Sequence, residues 1–327
     1  MWLDIVWLIL GLVLILYGAN LLTDGASAVA KRLGVSDLII GLTVVALGTS
    51  TPELVISVMA AIDGNAPLAV GNVVGSNIFN ILMILGVTAV IMPIKIKKSV
   101  MSNEIPMVVL SSLILLVMGY SATLDSVPTS IITRTEGIFL LVFFILFMRY
   151  MFASARRQKP SEVHDPQEAD GTRLRQMSGL KSVIFIVAGL GGLIWGGDKF
   201  VDGATGIARL MGVSDAVIGL TIVAIGTSLP ELATSVVAAI KKENGLAIGN
   251  VIGSNIFNVL LILGTAATIS PLPFGGVTHT DLWVLTGASV LFWVCGWFFQ
   301  HRIINRAEGL LMLACYGAYM FYLVSAA

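Results

Sequence analysis

Charge is what this sequence has least of. Asp, Glu, Lys and Arg make up 12 % of its 327 residues, against about a quarter of an average soluble chain. A soluble globule of this size needs a polar coat, and 19 basic plus 19 acidic residues cannot supply one. The net charge is +0, so no basic field exists to attract nucleic acid. Cysteine is nearly absent: Cys295 and Cys315 both lie in apolar runs, which excludes a disulfide framework or a zinc cluster. The three histidines, His164, His279 and His301, sit in or beside connecting segments and read as solvated. A cleavable signal peptide is not expected either. The first apolar stretch has no basic lead-in, its first positive charge being Lys31 at the far end.

What the chain has instead is apolar length, with 57 % hydrophobic residues. A helix crossing a hydrocarbon core of ~30 Å needs about 20 of them. Ten such stretches are expected: 3–30, 37–62, 68–92, 104–122, 131–151, 180–208, 215–240, 246–269, 280–299 and 307–325. Between the fifth and sixth lies 152–179, charged, with Pro and Gly and no apolar period, which reads as a linker. Lys and Arg are retained on the cytoplasmic side. The loops joining helices 1–2, 3–4, 5–6, 7–8 and 9–10, with their flanks, hold 16 of the 19 basic residues; Arg134, Lys199 and Arg209 fall on the other side. One missed span would scramble that parity. The linker is therefore expected in the cytoplasm and both termini outside.

The sequence also repeats itself. Residues 41–86 and 219–264 align without a gap at an offset of 178, with 31 of 46 positions identical. The polar positions match while the apolar ones drift: Leu47 faces Ile225 and Met59 faces Val237, but Thr49, Ser50, Pro52, Glu53, Ser57, Asn72, Ser76, Asn77 and Asn80 all have identical counterparts. Downstream, Arg134–Gly137 resembles Arg306–Gly309 at an offset of 172. Each half then holds five helices. Five is odd, so the second copy must enter from the opposite face. The expected fold is an all-α membrane protein of ten transmembrane helices in two inverted-topology repeats, 1–151 and 180–327. That arrangement recurs in transporters whose site lies near the bilayer midplane.

The chemistry lies in the repeats. Glu53 and Glu231 sit mid-span, where a carboxylate costs about 2.5–3.5 kcal/mol and marks an ion or proton path. No lysine or arginine occurs between Arg32 and Lys95 or between Arg209 and Lys241 to pair with them at that depth. In GTSTPE and GTSLPE, the proline clashes with the carbonyl four residues earlier, so helices 2 and 7 should break at Gly48 and Gly226. Pro52 and Pro230 then open a second half-helix. Glu53 and Glu231 fall in its first turn, beside the positive dipole end. The hydroxyls of Thr49, Ser50, Thr227 and Ser228 face the same gap, as do the freed carbonyls. The partner motifs, GNVVGSNIFN and GNVIGSNIFN, place Ser76 with Asn80, and Ser254 with Asn258, four apart on one face as candidate ligands. Asn72, Asn77, Asn250 and Asn255 read as helix-joining amides, and Gly71, Gly75, Gly249 and Gly253 as close-approach positions. The pooled donors are all oxygen with a charge of −2. Such a cage suits Ca²⁺, which accepts 6–8 oxygens in flexible geometry, better than Mg²⁺. Copper and zinc prefer nitrogen or sulfur. Na⁺, hard and close to Ca²⁺ in size, fits the same cage.

GTSxPE followed by GSNIFN, duplicated in two halves of five helices, closely resembles the Ca²⁺/cation antiporter family, and within it the sodium/calcium exchanger branch. The resemblance covers the chain outside the linker. It implies that Glu53 and Glu231 are the central calcium ligands. It also implies that Thr49, Ser50, Thr227, Ser228, Ser76, Ser254 and Asn80, with the carbonyls of Ala46 and Ala224, complete the calcium and sodium sites. Alternating access by sliding of the first and sixth helices is implied too. Asn258 stands where some members, including potassium-dependent ones, carry aspartate, so one charge is missing and potassium coupling is not expected. The short linker excludes the regulatory calcium-binding domains of animal exchangers and implies a prokaryotic-type exchanger of the plasma membrane.

The expected activity is thus electrogenic exchange of Ca²⁺ for Na⁺ across the bilayer, with no cofactor and no obligatory protein partner. The same carboxylates bind protons, so a Ca²⁺/H⁺ antiporter on the same fold is the alternative, and a passive cation channel a further one. An enzyme is not expected, since no nucleophile–base pair, phosphate-cradling loop or metal triad is present. Glu136 and Glu308 read as helix-opening acids, and Asp24, Asp198 and Asp202 as interfacial ones.

Overall fold

The computed structural model describes residues 2–157, 177–211, 224–298 and 302–326. Its first half runs α1 (Trp2–Leu33), α2 (Asp37–Ile40), a π-helical turn at Gly41–Val45, α3 (Ala46–Thr49), α4 (Thr51–Ile62) and α5 (Ala66–Ile78). A π-helical segment at Phe79–Ile84 leads into α6 (Leu85–Ile91), then a two-residue strand β1 (Ile94–Lys95) and another π-helical turn, Val100–Glu104. Next come α7 (Ile105–Gly119), α8 (Ser121–Leu124), β2 (Ile131–Ile132) and α9 (Arg134–Arg157). The second half holds α10 (Gly179–Leu210), α11 (Ala224–Thr227), α12 (Leu229–Ile240), α13 (Asn244–Phe257) and a π-helical segment at Asn258–Leu263. It closes with α14 (Gly264–Ile269), β3 (Leu272–Pro273), α15 (His279–Phe298), β4 (Ile303–Ile304) and α16 (Arg306–Ala326).

The fold is all-α, and the chain is a multi-pass membrane protein by its apolar lengths. Among the described residues seven helices are long and apolar enough to span a bilayer, and Asp37–Thr49 with Thr51–Ile62 makes an eighth, bent by 48° at its break. The first part of the expected span 215–240, residues 215–223, lies outside the described residues.

The chain packs as two compact units, Met1–Pro52 with Ser154–Asn250, and Glu53–Ala153 with Val251–Ala327. Each draws on both halves of the sequence. In the first unit α1 and α10 lie antiparallel along a glycine seam. A Cβ on Gly18 would stand 2.8 Å from the Gly189 carbonyl oxygen, and one on Gly11 2.7 Å from that of Gly196. No side chain fits there, so backbone meets backbone. Gly11, Gly18 and Gly25 correspond to Gly189, Gly196 and Gly203 at the 178-residue offset, so the two contacts are copies of each other. Gly249 of α13 makes a similar approach, a Cβ there lying 2.5 Å from the Leu38 carbonyl. That bears out its close-packing reading. The repeat counterparts of the backbone it meets, around 216–220, lie outside the described residues.

In the second unit β1 pairs antiparallel with β4, and β2 with β3: Ile94 opposes Ile304 and Ile132 opposes Leu272. At the two offsets Ile94 corresponds to Leu272 and Ile132 to Ile304, so each pair is again the image of the other. Ser112 of α7 and Ser289 of α15 share a buried hydrogen bond of 2.7 Å.

Several boundaries differ from the sequence expectation. The fifth span begins at Arg134, because Ile131 and Ile132 are taken by β2, and it runs on to Arg157, six residues into the expected linker. Ala153, Ala155 and the two arginines that follow are strong helix formers with no stop signal. The fourth span starts at Val100. The helix breaks fall at Ser50 and Ser228, two residues beyond the expected glycines, with ψ of 9° and 6°. Turning ψ there from its helical value swings the next helix clear, so the proline ring need not disrupt the turn at Gly48 or Gly226.

Gly18→Val is expected to lower stability by about 1–3 kcal/mol or more, because its side chain has only the α10 backbone to displace. Thermal unfolding of the purified variant in detergent checks this.

Candidate ion-binding site

Each half of the sequence builds the same local device. Pro52 and Pro230 sit in the first turns of α4 and α12, where a missing N–H is harmless. Glu53 and Glu231 follow in that first turn, each 1 % exposed. The positive end of the half-helix dipole favours a carboxylate there. Nineteen residues after each glutamate comes an asparagine that clamps it. Asn72 Nδ2 donates to the Glu53 carbonyl at 3.3 Å and to Ser57 Oγ at 3.0 Å. Asn250 Nδ2 donates to the Glu231 carbonyl at 3.3 Å and to Ser235 Oγ at 3.0 Å. These bonds hold each glutamate through its backbone carbonyl. Asn72 and Asn250 thus join helices as expected. Ser57 and Ser235, both fully buried, complete the two clamps, a part the sequence reading did not assign them. Their only signal was identity at the 178-residue offset.

The first unit contains Ala46, Thr49, Ser50, Ala224, Thr227, Ser228 and Glu231. Here the two repeats are hydrogen-bonded directly. Ser50 Oγ donates to Glu231 Oε1 at 2.9 Å, and Thr49 Oγ1 donates to Asn250 Oδ1 at 3.1 Å. The hydroxyl of the first GTS motif therefore serves the carboxylate of the second PE motif. Ala46 offers its carbonyl to the Ser50 N–H at 3.0 Å. Ser228 is fully buried, and Thr227 is half-buried. Ala224 opens α11.

Glu53, Ser76, Asn80, Ser254 and Asn258 belong to the second unit. Ser76 and Ser254 lie at 4 % and 0 % exposure on α5 and α13. Asn80 and Asn258 occupy the π-helical segments that follow, a widened turn often found at functional positions. Each is 1 % exposed, and each has a buried Oδ1 with no hydrogen-bond partner among the described residues. Leaving such an oxygen unpaired costs about 1–3 kcal/mol, and a cation that it ligates removes that cost. Asn258 Nδ2 donates to Asn77 Oδ1 at 2.9 Å, and Asn77 Nδ2 to the Asn255 carbonyl at 3.2 Å.

The acids at the helix starts and near the outer ends of α1 and α10 have partners of their own. Glu136 accepts from the N–H and hydroxyl of Thr133 at 2.6 and 2.7 Å, and Glu308 from the N–H of Asn305, both as capping boxes. Lys199 pairs with Asp198 and Asp202 at 3.1 and 2.7 Å. Lys241 pairs with Asp24 at 2.7 Å.

Comparison with known proteins agrees with these motifs. The profile of the family described as "Sodium/calcium exchanger protein" matches residues 3–153 and 181–325. The putative antiporter CaxA of Alkalimonas amylolytica is 37 % identical over 324 residues, covering 98 % of each chain. The sodium/calcium exchanger MaX1 of Methanosarcina acetivorans is 32 % identical, covering 97 % of each. A solved structure of the sodium-calcium exchanger NCX_Mj, soaked with zero Na⁺ and Ca²⁺, superposes with a TM-score of 0.82 at 32 % identity. It covers 98 % of this chain and 99 % of that one.

Asn250→Leu is expected to destabilise the protein by about 1–3 kcal/mol, since it strands the buried Glu231 carbonyl and Ser235 hydroxyl. Asn72→Leu should cost a similar amount. Thermal unfolding of the two variants, compared side by side, tests the equivalence.

Proposed function

Because the chain belongs to the sodium/calcium exchanger family, we propose that it is a secondary active antiporter exchanging Ca²⁺ for Na⁺ by alternating access. Family membership and the likeness to NCX_Mj support calcium/cation exchange as its general activity. The observation that carries the finer reading is the duplicated acid-bearing half-helix start, clamped in each repeat by an asparagine at the same two distances. Two such carboxylates, inside apolar spans, make an all-oxygen site for hard cations.

The proposed ligands are Glu53 and Glu231 at the centre, with Thr49, Ser50, Thr227, Ser228, Ser76, Asn80, Ser254 and Asn258 around them and the carbonyls of Ala46 and Ala224. The buried Oδ1 atoms of Asn80 and Asn258, without a partner among the described residues, support their place in this set. The proposed architecture is ten spans in two inverted repeats, 1–151 and 180–327. The antiparallel glycine seam of α1 with α10, whose contacts are images of each other, supports the inversion. So does the exchange of β1 with β4 and of β2 with β3. The distribution of basic residues supports a cytoplasmic linker 152–179 with both termini on the other side of the plasma membrane. Ca²⁺ and Na⁺ are the substrates, the bilayer is the surrounding partner, and no cofactor enters.

Two measurements in proteoliposomes test this. An outward Na⁺ gradient is expected to drive Ca²⁺ uptake, and a pH gradient alone to drive none; the reverse result makes the protein a Ca²⁺/H⁺ antiporter. Uptake is also expected to respond to an imposed membrane potential. Glu53→Gln and Glu231→Gln should each abolish exchange while the protein still inserts and purifies. Retained transport in either variant refutes the ligand assignment.

A further inference from the structure

The amide at position 258 raises a problem that a carboxylate would not. Both oxygens of an aspartate are ligands, but an asparagine has one oxygen and one NH₂, and only the oxygen can face a cation. Something must decide which end points where. In this structure a chain of hydrogen bonds decides it. The Asn255 carbonyl can only accept, so the group of Asn77 that meets it at 3.2 Å must be Nδ2. That fixes the Asn77 amide and leaves its Oδ1 toward Asn258. Asn77 Oδ1 can likewise only accept, so Asn258 must present Nδ2 to it, at 2.9 Å. Asn258 Oδ1 is then the end left over, buried and without a hydrogen-bond partner among the described residues. All three asparagines are 1 % exposed, so bulk solvent does not compete for these groups.

The arrangement is not repeated in the other half. Asn255, the counterpart of Asn77, donates its Nδ2 to the Val251 carbonyl one turn back, at 2.7 Å. Among the described residues its Oδ1 has no partner, and neither does that of Asn80. The anchor therefore exists at 258 and not at its counterpart, although the sequences GSNIFN are identical.

We propose that Asn77 is a positioning residue that sets ion preference by orienting the Asn258 amide, keeping Oδ1 toward the cation and NH₂ away from it. The proposal rests on the reading of Asn258 as a ligand. Without Asn77 the amide can turn over and aim a donor at the ion, which repels it.

A double-mutant cycle on the full-length protein, read by Ca²⁺ binding to the detergent-purified chain, tests this. Asn77→Ala is expected to raise the Ca²⁺ Kd by about tenfold in the native background, the scale of one lost ligand. In an Asn258→Asp background, where both ends are oxygen, the same change should move Kd by less than about twofold. No change in the native background overturns the proposal, as does an equal loss in both backgrounds, which would mark Asn77 as merely structural. Asn258→Ala separates the premise: if it leaves Kd unchanged, Asn258 is not a ligand and the failure lies in the site reading. If it weakens binding while Asn77→Ala does not, only the positioning role fails. Should Asn77→Ala not yield folded protein, Asn77→Leu enters the same cycle under the same criteria.

Discussion

A carboxylate inside an apolar span is the constraint from which the rest of this molecule follows. Lipid supplies no hydrogen bonds to hold it, and irregular backbone at that depth is tolerated only where protein or a cavity surrounds it. The chain meets this by ending a helix at Ser50 and Ser228 and starting another at once, with a proline in the first turn and the glutamate beside it. The new helix start offers N–H groups and a dipole to the acid. The asparagine clamp then takes the glutamate's own carbonyl, leaving the carboxylate uncommitted to the clamp. Fixing the residue through its backbone carbonyl sets the position of the acid without using its charge in the clamp.

The scaffold around these acids is built on a two-fold theme. Gly18 meets Gly189 as Gly196 meets Gly11. Ile94 opposes Ile304 as Leu272 opposes Ile132. A duplicated chain that packs against its own copy in this way uses each surface patch twice, which is the logic of an isologous dimer carried into one chain. The symmetry stops at the asparagines. Asn77 anchors Asn258, whereas Asn255 turns back to its own helix.

Much of this was legible before any coordinates. The offset of 178 residues, the helical stretches and the polar identities came from the residue pattern alone, because an acid or amide in an apolar run is retained only for a reason. The clamps at Asn72 and Asn250 were legible as helix-joining amides, though not their target, since a backbone carbonyl leaves no mark in a sequence. The glycine seam escaped notice because Gly11, Gly18 and Gly25 are three among 34 glycines. Their seven-residue spacing matters only once α10 is known to lie across them. The four two-residue strands are too short to carry an alternating pattern, and they form because distant segments meet. The break at Ser50 was misplaced by two residues. Proline identifies the carbonyl with which it clashes, while the chain relieves the clash at whichever ψ turns most freely.

The proposed ligand set also constrains how charge would move. With glutamates at 53 and 231 and an amide at 258, the empty site carries −2. A single bound Ca²⁺ neutralises it, so the calcium-loaded form can change access without carrying net charge through the low-dielectric core. Two Na⁺ would do the same, and a third would leave +1. An aspartate at 258 would shift every one of these sums by one unit, giving a calcium-loaded form of −1 and a three-sodium form of zero. Each elementary charge moved across the membrane is worth about 2.3 kcal/mol per 100 mV, so the choice of amide or acid at this position decides which half of the cycle feels the membrane potential. On the amide set that half is the return with sodium. A neutral calcium limb and a charged sodium limb would let an inside-negative membrane pull sodium inward and thereby drive calcium out, without the calcium step itself working against the field.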